Sequence, residues 1–152
     1  MPQPWTYRHA SQEYRAFLDD LRDRMNLVSD NSAYTAVDGV FQVFRRRLTA
    51  VQGLGFATYL PSIPRAIFVA GWRPETAPPP FADRATMTLE AQLVRQNHNL
   101  TPDNCIEATA WAVRRAILPR DFAFALAELP PEGRWFWDVD VTDPAELEPG
   151  FR

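Results

Sequence analysis

The sequence is short of the side chains that bind metals or form disulfides. Its 152 residues include one cysteine and two histidines, and all sixteen basic residues are arginine. The single Cys105 cannot form an internal disulfide, which is typical of a reducing compartment. Two distant histidines and one cysteine do not provide the ligand spacing of a metal site. We therefore expect no metal site and predict no cofactor.

Long hydrophobic runs and an excess of positive charge are also missing. The longest apolar stretch, AIFVAGW, is far too short to span a membrane. The N-terminus has no apolar segment of the kind found in signal peptides. A net charge of −3 gives no electrostatic footprint for nucleic acid. We therefore expect a cytoplasmic protein that binds neither membranes nor nucleic acid.

Amphipathic helical spacing, in contrast, is abundant. Apolar residues recur every three or four positions through two long segments, about 12–26 and 31–48, with charges on the opposite face. Thr49 and Gln52 have the spacing of a helix capping box, and the Thr-Pro step at 101–102 is typical of a helix start. Since no sustained two-residue alternation indicates a strand, the expected fold is all-α. Further helices are predicted within 49–61, 62–71, 86–98, 102–118 and 119–129.

Two segments about seventy residues apart resemble each other. MNLVSDNS, at 25–32, aligns with HNLTPDNC, at 98–105, and the helices that follow share their apolar positions. An internal duplication explains this similarity, and two similar repeats of three to four helices would pack as one pseudo-symmetric helical body. We predict a single domain over 1–152, made of repeat one at about 11–72, a proline-rich connector at about 73–83, repeat two at about 84–137 and an acidic tail at 138–152.

Longer stretches of the sequence resemble a known bacterial family. They are LPSIPRAIFVAGWRP, PPPFADR, EAQLVRQNHNLTPDNCIEATAWAVRRAI and LAELPPEGRWFW. Together they are similar to the domain of unknown function 2267, over about residues 13–137. The resemblance implies an all-helical (all-α) domain in which the two repeats pack as one orthogonal helical bundle, with a globin-like arrangement as an alternative. It implies no established activity and no catalytic residues.

A histidine and a cysteine are candidates for chemistry. His98 could be a base, a metal ligand or a haem ligand. It occupies the position of Met25 in the other repeat, however, so we favour a partly buried structural histidine. Cys105 lies in the first turn of a helix, where the dipole would lower the pKa of its thiol, whereas Asp103 and Glu107 oppose ionisation. We favour a small buried residue there, and no catalytic residue is predicted.

Arginines are the candidates for anion binding. They lie near the ends of two helices that correspond in the predicted repeats, and an anion or phosphate could bind there. Solvated charges that suit the helix dipole are the favoured interpretation. The arginines are Arg45, Arg46, Arg47, Arg114 and Arg115.

Aromatic residues follow the Leu-Pro pair that ends each repeat. Trp72, Phe81, Trp135 and Trp137 could line a pocket or a partner surface. We favour the interpretation that they close the core around the connector.

Three functions remain open. The favoured hypothesis is a non-enzymatic domain that binds a partner protein or itself, because an aromatic-rich helical body carries no catalytic motif. The alternative is binding of a small molecule, such as haem or a lipid, in an apolar pocket between the repeats near Trp72, Trp111 and His98. The least favoured hypothesis is an enzyme that uses Cys105 or His98.

Overall fold

The computed structural model describes residues 3–95, 101–141 and 143–147. Within these ranges there are nine α-helices and no strand, which confirms the all-α prediction. No helix among them is long and apolar enough to cross a lipid bilayer. The helices are α1 Trp5–Arg8, α2 Ala10–Met25, α3 Asp30–Arg45, α4 Ala50–Ala57, α5 Ser62–Val69, α6 Arg84–Leu93, α7 Cys105–Ala116, α8 Pro119–Ala127 and α9 Pro131–Trp135, followed by a 3₁₀ helix at Pro144–Leu147.

Local side-chain chemistry sets several helix ends. The capping box predicted at the start of α4 is confirmed: the Thr49 hydroxyl accepts the Gln52 backbone N–H at 3.2 Å, and the Gln52 side chain accepts the Thr49 N–H at 3.0 Å. Ser29 caps α3 through its hydroxyl. Asn26 ends α2 in the left-handed conformation, at φ 54, which asparagine tolerates better than most residues.

The start of α7 differs from the sequence prediction. This helix begins at Cys105, so the predicted start at the Thr-Pro step 101–102 is wrong. The turn before α7 is held by tertiary contacts instead. Gln92 on α6 donates to the Asp103 carboxylate at 2.8 Å, and Asn104 donates to a backbone carbonyl of α2 at 3.0 Å. Polar groups that would cap a helix are therefore used to join α2, α6 and α7.

Phe44 on α3 lies at the centre of an aromatic core. The ring centroids of Phe136, Trp137 and Phe56 lie 4.8, 5.0 and 5.2 Å from that of Phe44. Trp137 is fully buried, which agrees with the predicted role in closing the core. The same prediction is wrong for Trp135, whose side chain is 63% exposed. Arg134 and Trp135 at the end of α9 are exposed, whereas Phe136 and Trp137, which follow the helix, enter the core.

Helices of the two halves pack against each other reciprocally. α2 contacts α7, and α3 contacts α6, so the first helix of each predicted repeat lies on the second helix of the other. Buried side chains from both halves belong to one apolar cluster. This is the packing that a duplication predicts, while the repeat itself and a globin-like arrangement stay predictions.

Candidate functional site

An apolar groove lies where three short segments of the chain meet. They are α1, the turn between α4 and α5, and the turn between α7 and α8, and they enclose a cavity of about 660 Å³. A cavity of this volume is within the range that small ligands and short protein segments occupy. The apolar side chains that define the groove are Trp5, Tyr59, Leu60, Pro61, Ile117 and Leu118.

Two Leu-Pro steps build two of these segments. Pro61 precedes the first residue of α5, and Pro119 is the first residue of α8. Proline suits these positions because it cannot donate a backbone hydrogen bond and its φ is already helical. Each proline therefore starts a new helix at once after a sharp turn. Leu60 is buried at its turn, whereas Leu118 remains 41% exposed toward the groove.

The third segment, α1, is held in place by hydrogen bonds. The Thr6 hydroxyl donates to Glu13 Oε1 at 2.5 Å, and the Ser62 hydroxyl donates to the Thr6 carbonyl at 3.0 Å. The Trp5 ring packs against His9, with 4.5 Å between the ring centroids. These contacts fix α1 against both α2 and α5, so that Trp5 forms one wall of the groove.

An exposed apolar face continues from the groove along α4 and α8. Phe124 on α8 is 53% exposed and stacks on Tyr59, with 6.3 Å between the ring centroids. Val51 and Leu54 are exposed on α4, and their spacing places them on the side of the helix that leads to the groove residue Thr58. An apolar surface that is both concave and extended is typical of an interaction site.

Carboxylates outnumber guanidinium groups around the groove. A smaller cavity of about 330 Å³ adjoins it through Glu13 and Pro61, and Asp19 and Asp20 line this second cavity. Asp121 lies on the rim of the groove itself, 4.0 Å from Arg120. The acidic side chains therefore give the groove a negative rim.

The arginines of the two cavities are engaged inside the protein. Arg65 donates to three backbone carbonyls at the end of α4, at 3.0 to 3.1 Å. Arg115 donates through Nε to Asp20 Oδ2 at 2.9 Å. Burial raises the pKa of Asp20, and this effect outweighs the lowering by the Arg115 hydrogen bond. Arg65 is therefore not a counterion for the carboxylates of the rim, whereas Arg115 pairs with Asp20 of the second cavity.

The arginines predicted to bind an anion lie in separate environments. Arg45 is buried and donates to the Phe68 and Ala70 carbonyls at 2.7 and 2.9 Å, which satisfies the end of α5. Arg47 is also buried and pairs with Glu90 at 2.8 Å. The favoured interpretation of solvated charges is thus wrong for both residues, because Arg45 serves the end of α5 and Arg47 also donates to the buried Val43 carbonyl at 2.9 Å.

The other three arginines differ again. Arg46 keeps 44% of its side chain exposed. Arg114 donates to the Trp137 carbonyl at 2.7 Å, and burial lowers the pKa of its guanidinium. Arg115 belongs to the second cavity, as described above. Anion binding by these side chains stays a prediction.

The tryptophans predicted to line a pocket have different neighbours. Trp72 borders a small polar cavity of about 190 Å³ with Arg45 and Arg46, and its ring fills the space beside Gly53. Trp111 is buried on α7, and its Nε1 has no hydrogen-bond partner among the described residues. His98 lies outside the described residues, so a pocket near all three stays a prediction.

Cys105 is buried at the start of α7 rather than presented to solvent. Burial raises the pKa of its thiol to about 11, which is opposite to the lowering expected from the helix dipole. Desolvation outweighs the dipole because the thiolate would lose its hydration entirely. The favoured prediction of a small buried residue is therefore confirmed.

Sequence reasoning missed the groove. The Leu-Pro step at 60–61 indicated only the end of a repeat, Pro119 indicated only a helix start, and the N-terminal segment was not predicted to be helical. The available signal was the combination of both Leu-Pro steps with the aromatic WTY at 5–7, because an aromatic segment outside the repeats needs an apolar surface to pack on.

These features define a helical domain with an apolar groove on its surface and no group of three or more metal-ligating side chains in its described part. The model of a family described as "Uncharacterized conserved protein (DUF2267)" matches residues 14–136. The chain belongs to this family, as its sequence resemblance indicated. The matched span includes both turns of the groove but not α1. No curated protein matches the chain.

Proposed function

We propose that this protein is a non-enzymatic docking domain whose groove binds an amphipathic helix of a partner protein. The observation that carries the proposal is the convergence of Trp5, Tyr59 and Leu118 around one solvent-open cavity. Aromatic and aliphatic side chains in a concave surface provide most of the binding energy in protein interfaces. Amphipathic helices bind such grooves through apolar side chains spaced one turn apart.

The apolar face beside the groove supports a protein partner. A specific interface buries about 800 Å² on each partner, so an occupant of the groove must also cover neighbouring surface. Leu54 and Phe124 are exposed on that neighbouring surface. A helix that enters the groove and continues along α4 and α8 would bury both.

The acidic rim defines the charge of the partner. Glu13 and Asp121 border the groove, and Arg65 is engaged with backbone carbonyls. A partner helix with arginine or lysine beside its apolar stripe would neutralise these carboxylates. Haem and fatty acids carry carboxylates of their own, which the same rim would repel. The charge therefore favours a basic helix over the small molecules that the sequence left open.

Two model peptides test this proposal with the full chain. One is an 18-residue amphipathic helix of leucine and lysine, and the other has glutamate in place of lysine. Binding is measured by the fluorescence anisotropy of each labelled peptide. We expect the lysine peptide to bind and Leu118→Ser to weaken that binding about tenfold, as loss of a central contact does. The matched control is Leu89→Ser, because Leu89 is also an exposed leucine, at 61%, but lies on α6.

Several outcomes would overturn the proposal. Equal binding of the two peptides would show that the charge of the rim does not discriminate between a basic and an acidic helix. Equal weakening by Leu118→Ser and Leu89→Ser would place the binding outside the groove. Sedimentation without peptide adds a further outcome: a dimer that Leu118→Ser dissociates would make a second copy, and not a partner helix, the occupant.

A further inference from the structure

Two arginines lie over the ring of one buried tryptophan, on the side of the molecule formed by α2 and α7. The guanidinium carbons of Arg24 and Arg115 are each 4.8 Å from the ring centroid of Trp111. This is within the distance at which a cation is attracted by the electrons of an indole ring. We call these three side chains the Arg–Trp–Arg platform.

Carboxylates of the protein fix the platform in position. Arg24 Nη2 donates to Glu107 Oε1 at 2.6 Å, and Arg115 Nε donates to Asp20 Oδ2 at 2.9 Å. Each arginine is thus held by one acid and by the Trp111 ring. Such fixed guanidinium groups lose little conformational freedom when they bind a further acceptor.

The C-terminal 3₁₀ helix of the chain is seated on this platform. The helix contacts α7, and Arg115 Nη1 donates to the backbone carbonyl of Glu146 at 2.5 Å. The hydrogen bond from Arg24 to Glu107 is the main reason why the pKa of Arg24 is raised, and the charge of Glu146 adds to this effect. The platform therefore already holds one acidic segment.

The segment that includes this helix is acidic, and the 3₁₀ helix itself is loosely attached. Residues 138–147, DVDVTDPAEL, contain four carboxylates and no basic residue. Within the 3₁₀ helix only Leu147 is half-buried, and no residue is fully buried. Segments with few buried contacts open at a small cost in free energy. The attached segment should therefore separate from the platform easily.

We propose that the Arg–Trp–Arg platform is a docking surface for an acidic segment of a partner protein, and that the chain's own 3₁₀ helix at Pro144–Leu147 occupies it as an internal competitor. This surface is distinct from the apolar groove, and the proposal does not depend on the groove. A tethered competitor acts at a high effective concentration, so ligands that bind the platform weakly cannot displace it. A partner gains access only when its acidic segment binds more strongly than the internal one.

The experiment uses the full chain and a labelled peptide of residues 138–147. Leu147→Gly removes the one half-buried side chain of the 3₁₀ helix. We expect this variant to bind the peptide about fivefold more tightly than the unchanged protein, because the tethered competitor is weakened. Binding is measured by fluorescence anisotropy at low salt, where charge attraction is strongest.

Further substitutions in the Leu147→Gly background locate the binding. Arg24→Gln and Arg115→Gln should each weaken the binding of the peptide about fivefold, since each removes a guanidinium from the platform. Arg46→Gln is the matched control, because Arg46 is a partly exposed arginine on α3 and should leave the affinity unchanged. Circular dichroism checks that each variant folds. Arg24→Gln alone decides the result if Arg115→Gln unfolds the chain.

Three results would overturn this proposal. The first is equal affinity of the unchanged protein and Leu147→Gly for the peptide, which would exclude competition. The second is equal binding of a scrambled peptide of the same composition, which would show attraction by charge alone. The third is unchanged binding after Arg24→Gln, which would place the peptide elsewhere. None of these results bears on the groove, which the leucine and lysine peptide tests separately.

Discussion

Gly39 of α3 lies directly against the backbone of Ala91 in α6. A Cβ atom added to Gly39 would be 2.7 Å from the Ala91 carbonyl oxygen, closer than real Cβ atoms approach. The two helices can therefore cross at this distance only with glycine at residue 39. The crossing joins the two predicted repeats, since α3 belongs to the first and α6 to the second.

Gly39→Ala should destabilise the protein even though alanine favours helices. Helix propensity alone would stabilise the variant by about 1 kcal/mol. The overlap with a backbone carbonyl cannot be relieved by rotating a side chain, and overpacking of this kind costs about 1–3 kcal/mol or more. We expect a net loss of stability, measured as a lower midpoint of urea unfolding.

Gly55→Ala is the matched control for this prediction. Gly55 also lies inside a helix, but the atoms that a Cβ would meet belong to the exposed side chain of Glu128. That side chain can move away, so helix propensity should dominate and stabilise the variant by up to about 1 kcal/mol. Equal effects of the two substitutions would contradict the close crossing of α3 and α6.

Neighbouring arginines at the end of α3 should differ sharply in their contribution to stability. Arg45→Gln removes a buried guanidinium and leaves the Phe68 and Ala70 carbonyls without their donor. Loss of such buried partners costs about 1–3 kcal/mol. Arg46→Gln changes a partly exposed side chain and should alter stability by less than about 0.5 kcal/mol. Thermal unfolding of both variants checks the difference, and equal melting temperatures would show that Arg45 is not needed by α5.

The ion pair between Arg15 on α2 and Asp30 on α3 should make the stability of the fold depend on pH in acid. Hydrogen bonds from Arg15 lower the pKa of Asp30 to about 2, from an ordinary value of about 4. A lowered carboxyl pKa means that the pair stabilises the fold above pH 4 and that this stabilisation is lost as the pH falls from about 4 to 2.

Asp30→Asn should therefore lower the stability of the fold at pH 7. It should also make the loss of stability between pH 4 and 2 smaller than in the unchanged protein. The urea midpoint at pH 7, 4 and 2.5 measures both effects. Asp140→Asn is the control, because Asp140 is exposed in the C-terminal segment. Since Arg15 and Asp30 are both exposed, 1 M salt should reduce the difference at pH 7. An identical acid decline in Asp30→Asn and the unchanged protein would contradict the prediction.

The helices could be predicted from sequence because their signals are local. The apolar spacing of α2 and α3 and the Thr49 capping box depend only on residues within a few positions of one another. The start of α7 could not be predicted in this way. Thr101 and Pro102 have the local chemistry of a helix start, but contacts with α2 and α6 hold the residues before α7 in a turn.

The candidate site was beyond sequence reasoning because it joins distant segments. Trp5, Tyr59 and Leu118 are separated by more than fifty residues at each step, and no periodic pattern links them. The burial of Arg45 could not be predicted for the same reason. Its position near a helix end indicated a solvated charge, whereas the need for a donor at the end of α5 becomes visible only when the two helices are placed together.

Cys105 should be unreactive in the folded protein. Burial raises the pKa of its thiol to about 11, so only about one molecule in a thousand carries a thiolate at pH 8. We expect a disulfide reagent such as DTNB to react at least about 100-fold more slowly with the folded chain than with the chain in guanidinium, because the reagent must reach a buried and protonated sulfur.

The same thiol gives stability a dependence on alkaline pH. A raised thiol pKa means that the folded state keeps the proton that the unfolded state loses, so this contribution to stability is present below the ordinary value of 9.0 and is lost between that value and about 11. Cys105→Ala removes the titrating group and should lose less stability over that range than the unchanged protein. Rapid reaction of the folded chain with DTNB at pH 8 would instead require an accessible thiolate. It would contradict the buried thiol and support a nucleophilic Cys105.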